Sequence, residues 1–233
     1  MMEGLRAVAF DLDSTLCQYT LTVEEVLESA VTRSGLACDS FGALSDLAAD
    51  YNAVWWSVEE VLRVPTEELR RRAWSVILEK RGIADGSVAC RLADAYSEIR
   101  DDSGFHLFDG VPALLDDLRE RYRVGILTNG PSDMQWGKLR RLRLSESFDG
   151  IVVAGDLGVF KPDPRPFRRL LELLDAEPTE ALFVGDSYEH DMVGAIGVGM
   201  RTAWVTEDGV VRDGRPAPDL VVERVTDLRE VLL

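Results

Sequence analysis

The chain has 233 residues, 46% of them hydrophobic, with a mean hydropathy of -0.05, so it can bury one large core or a core plus a smaller insertion. Twenty-six basic against 42 acidic residues give a net charge of -16, which argues against nucleic acid and anionic membranes as partners. No stretch has the apolar length of a membrane span, and Met1-Met2-Glu3-Gly4 does not start a signal peptide, so a cytoplasmic protein is expected.

Cys17, Cys38 and Cys90 are far apart with no CxxC, which favours reduced thiols over disulfides or a zinc site. Cys17 reads as a small packing residue. The only lysines are Lys80, Lys138 and Lys161. Heavy acid with scarce lysine resembles proteins of salt-accumulating cells, where the screening length at molar salt falls to about 3 Å. A GC-rich coding sequence and ordinary solubility explain it equally well.

In chain order, Ala7-Val8-Ala9-Phe10 comes first, a short apolar run with no polar face, read as a strand buried on both sides. It stops at Asp11 and Asp13, followed by Ser14 and Thr15. A turn or a helix cap would account for one aspartate. Two carboxylates one residue apart repel unless a cation meets them, so the pair reads as a nucleophile (Asp11) and a general acid/base (Asp13) at a divalent metal.

Helical patterns follow: Val23 to Arg33, Phe41 to Leu47, Val54 to Leu62, Pro65 to about Arg81 with Thr66 as N-cap, and Val88 to Ile99. Residues 18–105 therefore read as a helical insertion.

From Phe108 onward, strands alternate with helices. Pro112 to Tyr122 is a helix, Arg123 to Leu127 a strand ending at Thr128-Asn129-Gly130, and Ser132 to Leu142 a helix. Ile151 to Ala154 is a strand, Pro164 to Leu174 a helix, and Ala181 to Val184 a strand ending at Gly185-Asp186-Ser187. Met192 to Ile196 is a short helix, and Thr202 to Val205 and Leu220 to Val222 are strands. Repeated βα units predict an α/β fold with a mostly parallel sheet and right-handed crossovers.

Residues able to do chemistry recur where these strands end: Asp11 and Asp13, then Thr128 and Asn129, then Lys161 before a helix, then Asp186 with Asp191 five residues on. Each alone has a plain reading as turn, cap or surface residue. Together they suit phosphoryl transfer. Lys161 and Mg2+ would neutralise a phosphate dianion, Asp11 and Asp186 could anchor the metal, and Thr128 with nearby backbone N–H groups could hold phosphate oxygens.

These segments resemble the haloacid dehalogenase (HAD) superfamily, in its helical-cap, phosphatase-like branch. Asp11-Leu12-Asp13-Ser14-Thr15 matches its DxDxT motif, Thr128-Asn129-Gly130 the second, Lys161-Pro162-Asp163 the third, and Gly185-Asp186 through Asp191 the fourth, GDxxxD. The resemblance implies a Rossmann-like core (1–17 and 106–233) with a helical cap (18–105). It implies an aspartyl-phosphate on Asp11, with Asp13 as acid and then base. Mg2+ would be held by Asp11, the Asp13 backbone carbonyl and Asp186. Thr128, Asn129 and Lys161 would bind phosphate, and Asp191 would orient Lys161 or support the metal.

The match has departures. Ser14 replaces a common glycine, Gly155-Asp156 a common Ser-Glu, and His190 a frequent asparagine; His190 reads as a rim or capping residue and His106 as structural. The haloacid dehalogenases that name the family lack the second aspartate of motif one, so Asp13 argues for a phosphatase acting on a small phosphorylated metabolite. A sugar-phosphate mutase, a 2-haloacid dehalogenase-like hydrolase, a non-catalytic phosphate binder and a receiver-like domain are the alternatives. Trp55, Trp56 and Arg63 could form a stacking and anion-binding surface, although packing suits at least one tryptophan better, and Arg70-Arg71-Arg72 reads as solvated helix. Thr128-Asn129-Gly130 with Gln135 and Lys138-Leu139 resembles nucleotidase-like and acylneuraminate-phosphatase-like members. That leans towards nucleotide or sugar monophosphates, with phosphoglycolate equally open.

Overall fold

The structure is a computed structural model describing residues 4–57, 64–83, 85–207 and 214–233. It divides into two compact units, Met1–Gln18 with His106–Leu233, and Tyr19–Phe105. Arg63 and the Trp56 side chain lie outside the described residues.

The chain starts with β1 (Ala7–Phe10) and leaves the first unit through β2 (Cys17–Tyr19). The second unit holds α1 (Val23–Arg33), α2 (Leu44–Ser57), α3 (Thr66–Lys80) and α4 (Gly86–Ser103), with a 3-10 turn at Cys38–Phe41. The chain returns through β3 (Phe105–Leu107). It then forms α5 (Val111–Arg119), β4 (Arg123–Thr128), α6 (Ser132–Arg141), β5 (Gly150–Val153), α7 (Ala154–Leu157) and α8 (Pro164–Leu174). β6 (Ala181–Gly185), α9 (Val193–Val198), β7 (Arg201–Val205), β8 (Leu220–Val222) and α10 (Leu228–Leu232) complete it.

The six-stranded sheet runs β5-β4-β1-β6-β7-β8, and every pairing in it is parallel. β1 lies at its centre, with Phe10 opposite Ile126 on one side and Val184 on the other. Its side chains alternate between two cores. Val8 and Phe10 pack with Leu114 and Leu118 of α5 and Leu228 of α10. Ala7 and Ala9 face the layer of Phe167, Leu170 and Leu174 from α8. Both faces are covered, which is why the strand reads as an unbroken apolar run. Each fully buried large side chain in these layers contributes about 1.5–3 kcal/mol of transfer free energy.

The order has consequences for function. After β1 the chain builds β4 and β5 on one side, then crosses back to build β6 to β8 on the other. The carboxyl end of β1 is thus the switch point of the sheet, where doubly wound folds open a crevice.

In the helical unit, α4 packs on α1 and α3, and α2 on the same two helices. α1 begins with a capping box between Thr22 and Glu25. Tyr51 stacks on Tyr96, with centroids 4.9 Å apart, and on Trp55 at 6.1 Å. Trp55 is therefore a packing residue of this unit. No helix among the described residues is long and apolar enough to cross a membrane.

Several local readings need correction. Thr66 is the first helical residue of α3, and Pro65, which cannot offer a side-chain cap, is the N-cap. Ala154 belongs to α7 rather than to the preceding strand, because the ladder with β4 ends at the Thr128–Val153 pair and frees the chain to turn. Arg70 is not simply solvated: it donates to Ser97 Oγ at 2.7 Å and lies over the Tyr96 ring. Arg71 and Arg72 pair with Glu67 and Glu68 one turn back.

Candidate active site

Asp11 stands one residue beyond β1 and is 6% exposed. Its backbone N–H donates to Val184 O at 2.8 Å, so β6 fixes where its side chain emerges. Lys161, 2% exposed, places its ammonium 2.5 Å from Asp11 Oδ1 and 2.7 Å from Asp191 Oδ1, and also donates to Leu127 O at 3.0 Å. This lysine, unremarkable as a single residue in sequence, is thus a buried cation between two acids.

Asn129 holds it there. The Lys161 backbone N–H donates to Asn129 Oδ1 at 2.8 Å, and Asn129 Nδ2 donates back to Lys161 O at 3.2 Å. The Asn129 side chain is therefore spent on clamping the Lys161 loop to the end of β4, and only its backbone is left to meet a phosphate. Thr128 is buried, with its hydroxyl 3.3 Å from Asn129 O.

Beyond β6, Ser187 caps the next turn by accepting from His190 N, and its own N–H donates to Asp191 Oδ2 at 3.0 Å. His190 is exposed at this cap, with Nδ1 3.0 Å from Ser187 Oγ. A side chain at position 185 would collide with the Asp191 carboxylate, so this close approach requires Gly185. Asp186 accepts from the Thr15 hydroxyl at 3.3 Å, and its carbonyl accepts from Trp204 Nε1 at 2.8 Å.

Oxygens of Asp11, Asp186 and Asp191 lie within 4.8 Å of one another. Burial pushes Asp11 up to about 8, against the pull of Lys161, and the charges of Asp191 and Asp186 add to the rise. Asp186 is raised to about 6, chiefly by burial and then by Asp191. Burial alone would lower Lys161, but Asp11 and Asp191 more than reverse that and keep it charged. Three carboxylates around one ammonium leave an excess of negative charge in a desolvated place. An all-oxygen donor set with that excess fits a hard divalent cation.

Asp13 is placed differently. Its carboxylate accepts from Lys138 Nζ at 2.6 and 2.8 Å and from Gln135 Nε2 at 2.9 Å. These two residues of α6 were singled out in sequence only by resemblance. A local signal existed: Gln135, Lys138 and Leu139 share one helix face, and all three are buried.

Ser14 has a φ of 62°, the left-handed region that favours glycine. The family's common glycine is thus explained by backbone conformation rather than by space. Asp156 bonds Ser132 Oγ and Trp136 Nε1, which gives it a structural part at the start of α6. Cys17 is buried, its thiol is pushed up by that burial, and it packs as expected. His106 Nε2 lies 3.2 Å from Gln18 Nε2.

A doubly wound parallel sheet with aspartates, a buried lysine and a threonine gathered at its switch point defines a class of α/β hydrolase. The family model described as haloacid dehalogenase-like hydrolase matches residues 5–199. The chain is 36% identical to a phosphoserine phosphatase of Thermus thermophilus over 175 residues, which is 75% of this chain and 68% of that one. It is 28% identical to the human N-acylneuraminate-9-phosphatase, covering 99% and 95% of the two chains. Among solved structures, the 2-haloacid dehalogenase of Pseudomonas syringae pv. Tomato DC3000 superposes with a TM-score of 0.69 at 29% identity, covering 98% of each chain. This chain belongs to the haloacid dehalogenase-like hydrolases.

Proposed function

We propose that this protein is a Mg2+-dependent phosphomonoesterase that acts on a small cytosolic metabolite through an aspartyl-phosphate on Asp11. The observation that carries the reading is the buried Lys161 bridging Asp11 and Asp191, with Asp186 alongside and a second aspartate, Asp13, two residues from the nucleophile.

An Asp11 carboxylate oxygen attacks phosphorus, and the bond from phosphorus to the ester oxygen breaks. Asp13 gives that oxygen its proton and the alcohol leaves. Asp13 then takes a proton from water, which attacks phosphorus, and inorganic phosphate is released with Asp11 restored. Lys161, the Thr128 hydroxyl and the Asn129 backbone N–H hold the phosphate oxygens. Asp11, Asp186 and the Asp13 carbonyl would hold Mg2+, which when bound neutralises phosphate charge, with Asp191 supporting the group through Lys161. The helical unit would serve as the cap that selects the alcohol. Asp13 disfavours a dehalogenase, whose halide leaving group departs without a proton.

The direct test is phosphate release from p-nitrophenyl phosphate with Mg2+ and with EDTA. Metal-dependent release is expected, and silence from folded protein over a panel of phosphomonoesters would overturn the assignment. Asp13→Asn should slow hydrolysis of an alkyl phosphate by about 10²–10⁴. A loss below about tenfold would remove Asp13 as the acid.

Thermal unfolding gives an independent check on the metal. Asp11 and Asp186 are raised from 3.8 to about 8 and about 6. In metal-free protein their contribution to stability is therefore fully present below about pH 4 and is lost as pH rises through those values. Mg2+ must displace these protons, so its stabilisation should shrink as pH falls through about 8 and again through about 6, and be much larger at pH 8 than at pH 5. A Mg2+ effect on the unfolding temperature equal at pH 5 and pH 8 would sink this placement.

A further inference from the structure

The two aspartates of the first loop are each held by their own buried lysine. Lys161 takes Asp11, and Lys138, 3% exposed, takes both oxygens of Asp13 at 2.6 and 2.8 Å. Two of the three lysines in the whole chain are thus buried beside neighbouring acids. Burying an ammonium is costly unless it is paired, so Lys138 is hard to explain as a surface residue turned inward by chance.

Gln135 adds a second restraint. It is 1% exposed and donates through the same Nε2 to Asp13 Oδ2 at 2.9 Å and to Asn129 O at 2.6 Å. Among the described residues its buried Oε1 has no hydrogen-bond partner. Both side chains stand on α6, which is anchored by Leu139 in the core and by the bonds from Ser132 and Trp136 to Asp156. The Asp13 side chain remains 36% exposed, so its carboxyl is gripped from the protein side and still open to an incoming ester.

We propose that Lys138 and Gln135 are positioning residues that set the orientation of the Asp13 carboxyl toward the leaving oxygen. The proposal rests on the reading of Asp13 as general acid. A carboxyl free to rotate would spend most of its time out of reach, and a misplacement of about 1 Å can cost on the order of 10²-fold in rate. Neither residue needs to touch the substrate, and the phosphate grip of Lys161 and Thr128 is built separately.

Leaving-group dependence tests this. p-Nitrophenolate departs without a proton, whereas an alkoxide needs one. For Lys138→Met and for Gln135→Leu, kcat/KM should be measured on p-nitrophenyl phosphate and on glycerol 3-phosphate, or on whichever alkyl phosphate the parent turns over best. The ratio of the two values should shift against the alkyl ester by about tenfold or more in Lys138→Met and by less in Gln135→Leu, with KM changed little. Lys138→Met added to Asp13→Asn should shift that ratio no further, because the two residues act as one unit.

Equal losses on both esters in both variants, or a full additive loss in the double variant, would overturn the proposal. Asp13→Asn serves as the reference. If it shifts the ratio and the other two variants do not, the positioning role falls and the acid assignment stands. If Asp13→Asn itself leaves the ratio unmoved, the acid assignment falls and takes the positioning role with it. Gln135→Leu keeps the test decisive should Lys138→Met fail to fold.

Discussion

Asp11→Asn should leave a folded protein that turns over phosphomonoesters at least about 10⁴-fold more slowly, since removal of a covalent nucleophile is the largest single loss a hydrolase shows. The fold should survive for a reason visible at the site. Asp11 is crowded by Asp191 and Asp186, and burial already raises it to about 8. A neutral amide of the same shape relieves that crowding, while the pair between Lys161 and Asp191 at 2.7 Å stays in place. Unfolding temperature without metal should therefore be equal to or above that of the parent, and the stabilisation by Mg2+ should be much reduced. Activity and melting curves on the same preparation check both halves. Normal turnover in this variant would sink the covalent mechanism outright.

Lys161→Met should have the opposite profile, with stability lost along with activity. Its ammonium is the cation shown between Asp11 and Asp191, and both acids are buried. Removing one partner of a buried ion pair costs about 3–5 kcal/mol, because an uncompensated charge is left behind. In a chain of this size that corresponds to a fall of roughly 6–20 °C in Tm, at about 2–4 °C per kcal/mol. Adding Asp191→Asn should recover part of the stability and none of the activity, since the double change removes the stranded charge without restoring a phosphate ligand. The deficit should also narrow as pH falls, when the carboxyls can take up protons. A Tm within about 2 °C of the parent would mean that water or a rearranged side chain compensates, and that Lys161 does not hold the cluster together.

Much of this site was legible in the sequence, for reasons particular to its elements. β1 is buried on both faces, so Ala7 to Phe10 carries no polar residue, and the break at Asp11 is abrupt enough to see. α8 lays Phe167, Leu170, Leu171 and Leu174 on one side at helical spacing, and its predicted and observed limits coincide. Leu220 to Val222 likewise falls where the alternation placed it. Boundaries failed where tertiary structure overrode local chemistry. Thr66 is a good capping residue that became the first helical one, and Ala154 is an apolar residue beyond the end of its ladder.

The roles of individual side chains were less legible than their presence. The Asn129 side-chain amide clamps the Lys161 backbone 32 residues away, a part that its expected place at the phosphate did not reveal. In the sequence, Gln135 and Lys138 carry only a resemblance to nucleotidase-like and acylneuraminate-phosphatase-like members, and the fold shows that they grip Asp13.

By itself, the sequence determined the order of βα units, the insertion after the first strand, and the residue types that end each strand. Hydrophobic periodicity and turn chemistry are local properties, and a family motif is a local string. Only the tertiary structure decided which lysine serves which aspartate. Lys161 reaches Asp11 across 150 residues of sequence and Lys138 reaches Asp13 across 125. Those pairings follow from the sheet order, which brings the ends of β1, β4 and β6 together and turns α6 toward the first loop, and no local pattern records a contact made at that distance.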